Sequence, residues 1–548
     1  MIVPPLVLAL SILVAAPCAV AGLDVPIVGP RSGLDAQTGE VPIRRDINSL
    51  YEEAGPQWDL YVEALTAMQD ANETDPRSYF QIAAIHGQPY MPWSGGGPQS
   101  GADAGYCPHN QMLFGTWHRA YLSLYEQILV GHAKRIAAAH PAASRKKYVE
   151  ASETLRLAYW DWADDSDVPP ATAMPTVVIN KAVNGTLRQT TVRNPLFSYK
   201  YPKSVLRGDF GRFDGKNNTK RCVEGGQSYP QTANGIMAGY NLKEKVYNVF
   251  LKATSFDEMV SSQSQGANFE GPHGEVHVGA ACGQDLVYLS TSAFEPLFWL
   301  HHTNVDRLIA YWQALHFENA TMHFSYPSSQ LFATPWGTIT TPQSPMQPFI
   351  GRDGPLTSES VTHIRDWGYT YAPIRPWDEA PGETKMAVSR TVNSLYGPQQ
   401  PEGSFRMSRR RRAAPRTEYF AKVQVERGEL DLPCQVQLFL ESGLAGTFTL
   451  LDMPTNGTSF EEIPLRRSVG TTDTGRSSAK AVLDSVGDEL EVIIKKLDGA
   501  EVPLSQVPSL KIELEDVEVI PPPTLNELPT LGKSSSRSAT VRAMAASH

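Results

Sequence analysis

Cysteine is scarce in this 548-residue chain: five residues, one of them (Cys18) inside an N-terminal apolar run, which leaves Cys107, Cys222, Cys282 and Cys434. That excludes a disulfide-built scaffold, so apolar cores must carry the stability. Basic charge is also in deficit. Against 58 Asp and Glu stand 48 Lys and Arg, a net charge of -10, which excludes a broad nucleic-acid surface. After the N-terminal run, no stretch is apolar enough to cross a bilayer, so no membrane span is expected. A Gly-rich dinucleotide fingerprint is missing, and so is any internal repeat.

The N-terminal run, "MIVPPLVLALSILVAAPCAVAG", ends in Ala19-Val20-Ala21, a small-x-small cleavage pattern. It predicts a signal peptide over 1–21 and a secreted, extracellular protein, although the run opens without Lys or Arg. Pro4, Pro5 and Pro17 argue against a membrane anchor. Sequons at Asn72, Asn184, Asn217, Asn319 and Asn456 agree with export and predict a glycoprotein. Secretion would permit a bridge between Cys222 and Cys282, but their spacing does not show that they are close.

Residues 22–372 read as one mainly α-helical unit. "PQWDLYVEALTAMQDA" carries Trp58, Leu60, Tyr61, Leu65 and Met68 at helical spacing. "GTWHRAYLSLYEQILVGHAKRIAAA" (115–139) is a longer helix, and a third is predicted after Thr303. Residues 373–416 are Pro- and Arg-rich and predict a linker. From 417 to 520 the alternation turns to period two, which predicts a small C-terminal β-sandwich. The Ser/Ala-rich tail over 521–548 predicts disorder.

The chemistry is concentrated in histidine. His273 and His277, four apart, share one helix face and can chelate one metal. With 13 histidines in the chain, one such pair is an ordinary coincidence. A zinc protease is excluded, because Gly274 stands where its motif requires Glu. His301 and His302 follow downstream, and His86, His109 and His118 form a second group upstream. Neither group brings a carboxylate or thiolate ligand. All-imidazole sets suit copper, zinc, iron or nickel, and a pair of them points to a metal pair that handles oxygen.

"WHRAYLSLYEQIL", "LAYWDWADD" and "FEPLFWLHHTNVDRLIAYWQ" resemble the signatures of type-3 copper proteins, most closely the fungal tyrosinases and polyphenol oxidases. The resemblance covers about residues 40–372 and implies a helical-bundle core holding a dicopper centre. It implies two copper ions, CuA on His86, His109 and His118, and CuB on His273, His277 and His302. His301 then packs or hydrogen-bonds beside the site. Asp306 either fixes the helix end behind His302 or pairs with Arg307 at the surface. Cys107 either forms a thioether with His109, as in fungal members, or stays a free thiol. Tyr369 and Tyr371, with Arg44 or Arg45, resemble the family's Arg/aromatic lock.

The resemblance further implies O2 as co-substrate and small phenols as substrates, a catechol losing two electrons and two protons to leave as an o-quinone. Hydroxylating a monophenol also needs its proton removed. In tyrosinases a Glu before the first CuB histidine and an Asn after it are assigned that task. Here Glu270 fits, whereas the Asn position is Gly274, which favours catechol oxidase over tyrosinase. Leu289 stands where plant catechol oxidases carry a Phe over CuA, so it either widens access or belongs to the core. The C-terminal unit could shield the site of a latent proenzyme, with Arg409–Arg412 a cut site for a processing protease or simply a solvated segment. The family's copper-loading Cys-x-x-Cys is missing, since Cys434 stands alone. Reversible O2 carriage, as in hemocyanins, is the alternative from another class; sustained catechol turnover separates the two. A metal-free binding protein would need all six histidines to be coincidental.

Overall fold

The longest helix follows directly from its apolar spacing. In the computed structural model, Phe114–Ala138 buries Trp117, Tyr121, Leu124, Ile128 and Leu129 against the helix Pro56–Gln69, which begins on a proline and buries Trp58, Leu60, Tyr61, Leu65 and Met68. The structure describes residues 25–543 apart from 95, 98–102, 212, 214, 223–228, 399–414, 442 and 470–478. The expected signal peptide and Arg409–Arg412 lie outside the described residues. Among the described residues, no helix is long and apolar enough to cross a membrane.

The third helix differs from expectation. It runs Leu297–Leu315, starting ahead of both His301 and His302 rather than after Thr303. Pro296 precedes it, and the Glu295 carboxylate accepts the Leu297 N–H at 3.1 Å, capping an end that the apolar pattern alone does not mark. Asp306, one turn beyond His302, faces inward. It accepts from Arg119 (2.6 Å), Arg44 (3.0 Å), Tyr369 (2.7 Å) and Tyr371 (2.7 Å). Its expected surface pairing with Arg307 does not occur, because Arg307 pairs with Asp161 at 2.9 Å. Of the two candidate arginines, Arg44 enters this network: it grips both oxygens of Glu126 and lies 3.4 Å from the Tyr369 ring centre. Arg45 pairs at the surface with Glu53.

The segment expected to be a plain linker contains the helix Pro381–Leu395, which buries Val388 and Val392 one turn apart in the main apolar cluster. The helical unit therefore extends past residue 372, to Tyr396. Beyond it come two sheets. One orders the strands Thr458–Pro464, Arg416–Glu426, Lys511–Ile520 and Thr530–Ser538; the other orders Glu501–Val502, Glu491–Lys496, Cys434–Leu440 and Gly443–Leu450. Their inner side chains, among them Val423, Val436, Leu438, Ile494 and Leu514, form one apolar cluster. The tail expected to be disordered supplies two strands, Thr530–Ser538 along the edge of Lys511–Ile520 and Arg542–Ala543 beside Glu491–Lys496. Thr530–Ser538 is almost wholly exposed, so backbone hydrogen bonds rather than an apolar face hold it.

The C-terminal unit lies against the helical one. Leu451 and Met453 pack on Val278, Val287 and Leu289. Beside them, buried Lys245 bonds Glu275 (2.7 Å) and the Thr447 carbonyl (2.6 Å), with Glu461 at 3.5 Å. Cys222 and Cys282 are joined in a disulfide.

Candidate metal centre

Four helices and one turn bring six histidines together. His86 is the last residue of Tyr79–His86, and His109 sits in the turn after Cys107. His118 stands in the second turn of Phe114–Ala138, His273 and His277 lie one turn apart on Glu270–Gly279, and His302 lies in the second turn of Leu297–Leu315. The ring centres of His86, His109 and His118 form a triangle with sides of 5.3, 5.6 and 5.3 Å. Those of His273, His277 and His302 form another, with sides of 4.5, 4.9 and 5.4 Å. The triangles face each other, His118 stacking on His302 at 4.3 Å and His109 on His273 at 5.7 Å.

The surrounding backbone decides which nitrogen points inward. The Nδ1 of His86 meets the Leu289 carbonyl (2.9 Å), that of His118 the Phe114 carbonyl (2.7 Å) and that of His277 the Leu286 carbonyl (2.5 Å). Each Nδ1 must carry the hydrogen, which leaves a lone pair on each Nε2. His86 and His118 then aim two Nε2 lone pairs at each other across 3.5 Å, and the His277 lone pair lies 3.2 Å from Nε2 of His302, whose Nδ1 has no partner among the described residues. Among the described residues, both ring nitrogens of buried His109, and Nε2 of His273, have no partner. Buried acceptors facing acceptors are unfavourable unless a cation lies between them. Burial pushes all six imidazoles down, His86 to about 3 and His277 to about 4, so they stay neutral, the form that binds metal. These residues fit a pair of metal ions, and imidazole donors favour copper in the divalent series.

The other expected residues are placed around the triangles. Cys107 is a free, buried cysteine that donates to the His86 carbonyl at 3.1 Å, and its sulfur lies within 4.8 Å of ligand nitrogens of His86 and His109. Buried His301 stacks on His273 at 5.1 Å with neither ring nitrogen bonded. Glu270 accepts from Asn110 N–H (2.5 Å), Ser262 N–H (2.8 Å) and the hydroxyls of Ser261 and Ser262 (both 3.0 Å). Burial raises this carboxyl above its usual value, and those donors oppose the rise. Leu289 is buried in the cluster with Leu451; its carbonyl orients His86, and its N–H donates to Asp452 at 3.1 Å. Asp306 anchors the His302 helix through Arg44 and Arg119 and makes no bond to an imidazole.

Several neighbours come from the C-terminal unit, and short motifs do not reveal them. Thr449, Leu451 and Arg427 close over Gly274 and Glu270, leaving a cavity of about 20 Å³. That is room for one water, whereas small-molecule sites run from about 300 Å³. Arg427 holds the closing loop, donating to the carbonyls of Pro454 (2.6 Å) and Leu451 (2.5 Å) and to the Ser459 hydroxyl (3.2 Å). Asn110 reaches across, donating to the Thr458 carbonyl at 3.1 Å. Only the geometry of the folded chain joins these segments.

Known proteins are similar to this chain in sequence and in fold. A family model described as the common central domain of tyrosinase matches residues 76–315, which contain both triangles. Tyrosinase of Podospora anserina is 33% identical over 387 residues, 66% of this chain and 67% of that one. Polyphenol oxidase 4 of Agaricus bisporus is 33% identical over 399 residues, 69% of this chain and 62% of that one. Neurospora crassa tyrosinase is 31% identical, over 66% and 57% of the two chains. In fold, a recombinant mushroom tyrosinase matches with a TM-score of 0.80 at 24% identity, covering 95% of this chain and 100% of the other. An Aspergillus oryzae apo-protyrosinase matches at 0.73 and 19%, covering 95% and 98%. On its two facing histidine triangles and a relative one-third identical over two-thirds of its length, the chain belongs to the tyrosinase family, the copper oxidoreductases that act on phenols.

Proposed function

We propose that the chain is a secreted, copper-dependent oxidase that uses O2 to convert o-diphenols to o-quinones, made in a latent form that its own C-terminal unit closes. In this reading His86, His109 and His118 hold one copper, and His273, His277 and His302 the other. The copper pair, when bound, supplies the electron transfer between catechol and O2. The protein's part is to fix tautomers through the Leu286, Leu289 and Phe114 carbonyls and to keep six imidazoles neutral. Each catechol gives up two electrons and two protons, and two catechols reduce one O2 to two waters.

The surroundings of Glu270 carry the preference for catechols. A carboxylate has about four lone-pair positions. The Asn110 N–H, the Ser262 N–H and the Ser261 hydroxyl already direct three donors at this one, and the Ser262 hydroxyl gives its single hydrogen either to it or to Asn110 Oδ1. Gly274 adds no side chain to hold a water beside it. A catechol brings two acidic hydroxyls and needs no such base as much as a monophenol does. Cys107, within reach of His109, supports the thioether; the Cys222–Cys282 bridge supports export. The second reading, a tyrosinase that also hydroxylates monophenols, keeps Glu270 as base.

Closure by the C-terminal unit, a two-sheet sandwich on a helical bundle in this reading, rests on the 20 Å³ cavity, too small for a phenol. A protease cutting at Arg409–Arg412 would free it. Oxygen uptake by the copper-loaded, linker-cut protein tests the function. Uptake with catechol alone supports the oxidase; equal uptake with the matching monophenol overturns the preference, and no uptake with either overturns the activity.

A further inference from the structure

One imidazole more than the reading requires stands at the downstream triangle. The ring centre of His301 lies 5.1 Å from His273 and 4.8 Å from His277; that of His302 lies 4.9 and 5.4 Å from the same two rings. Neighbouring helix residues diverge by about 100°, so His301 and His302 approach this pair from different sides. His302 stacks on His118 and so faces the upstream triangle. Among the described residues, His301 contacts only Trp162 of the rings outside the downstream group.

The ligand atoms of all four, His273, His277, His301 and His302, lie within 4.8 Å of one another, and all four are buried. Among the described residues, both nitrogens of His301 are buried without a hydrogen-bond partner. A buried imidazole that bonds nothing loses the water it had and gains nothing in return, unless an ion uses its lone pair. Cu(II) favours four nitrogen donors in a tetragonal set, which three imidazoles do not complete.

We infer that His301 is a fourth imidazole ligand, taken up by a copper ion held at His273, His277 and His302 when the upstream triangle is empty. The inference rests on the copper reading above and adds a residue to it. A half-loaded protein then keeps its downstream ion in a four-nitrogen set.

Cu(II) alone is the probe, added at one equivalent to the metal-free full chain carrying His109→Asn. This change disables the upstream site at the one ligand whose ring nitrogens make no hydrogen bond. Pulsed electron paramagnetic resonance counts coordinating imidazoles, and a competing chelator measures retention. Four imidazoles are expected, falling to three with His301→Phe added, together with at least tenfold faster loss to the chelator. The phenyl ring keeps the stacking on His273; should that variant misfold, His301→Gln is read the same way. Three imidazoles and equal retention whatever stands at 301 would overturn the inference and leave the copper reading intact. Failure of the unmodified chain itself to bind Cu(II) would overturn the copper reading.

Discussion

Replacing Arg427 with methionine should open the site without any cut in the chain. The guanidinium is 3% exposed and donates to two loop carbonyls, Leu451 and Pro454, and to Ser459. Methionine refills much of the stem's volume but donates nothing, so two carbonyls lose a charged partner in a dry interface. Each buried group left unsatisfied costs about 1–3 kcal/mol. Some of that returns as the loop relaxes toward water, which leaves about 2–4 kcal/mol against the closed loop. At about 1.4 kcal/mol per decade, the open-to-closed ratio rises by roughly thirty- to a thousandfold. The assay is oxygen uptake with catechol by the copper-loaded full chain, before and after linker cleavage and removal of the C-terminal unit. Arg427 leaves with that unit, so the cut forms of wild type and variant are the same molecule and must have the same rate. The uncut variant should exceed uncut wild type by at least tenfold. Equal uncut rates, with the variant's C-terminal unit folded by thermal melting, would refute the closure argument.

Gly274→Asn should raise the ratio of monophenol to catechol turnover in the cut protein by at least tenfold, below the ~10²–10⁴ of a well-placed base. Its Cβ alone would sit in ordinary contact, 3.5 Å from the Thr449 carbonyl and 3.9 Å from Leu451, but the amide beyond it must push against that loop, so the uncut variant should also leak activity. An unchanged ratio would remove Gly274 from the argument. Arg44→Met strips the buried Glu126 carboxylate of its paired guanidinium, while Asp306 keeps Arg119, Tyr369 and Tyr371; the change should cost about 3–5 kcal/mol, read as a lower urea midpoint for loss of the helical unit. Closure should also depend on pH. Burial, opposed by Lys245, pushes Glu461 up to about 7, and nearby Glu462 and Glu270 add to the rise. Released into water, that carboxyl returns toward 4.5, so the closed form binds the proton more tightly. Closure is therefore favoured at acid pH and weakens as pH rises from about 4.5 to 7, by up to about 3 kcal/mol. Uncut catechol oxidation and linker cleavage should both quicken across that window, and Glu461→Gln should flatten the slope; a flat wild-type profile would refute the assignment.

Local signals in the sequence reach as far as local physics does. Apolar spacing marks the Pro56–Gln69 and Phe114–Ala138 helices because each buries one stripe in the same core. The i, i+4 pair His273 and His277 and the double histidine are legible because helix geometry fixes which side chains meet. The start of Leu297–Leu315 is not, because a glutamate two residues ahead caps it rather than a conventional N-cap. Pro381–Leu395 hides in a charged, Pro-rich stretch, since Val388 and Val392 are the only apolar residues among the four that it buries. Thr530–Ser538 hides for the opposite reason: an edge strand held by backbone bonds needs no apolar alternation. Asn110 and Asp452 could not be found from motifs, because what singles them out is contact between segments more than 150 residues apart, and Arg427 is singled out only by the loop carbonyls that fold back onto it.

The segment from Cys282 to Ser292 links the two triangles in a way that neither metal-ligand set reveals. Its Leu286 carbonyl orients His277 of one triangle, and its Leu289 carbonyl orients His86 of the other. The disulfide to Cys222 pins one end, and Asp285 ties the segment to Lys216 and to the Lys220 backbone. One strip of main chain thus serves as a common ruler for both halves. A shift of that strip disturbs a histidine of each triangle at once, so damage here would upset both triangles together rather than one.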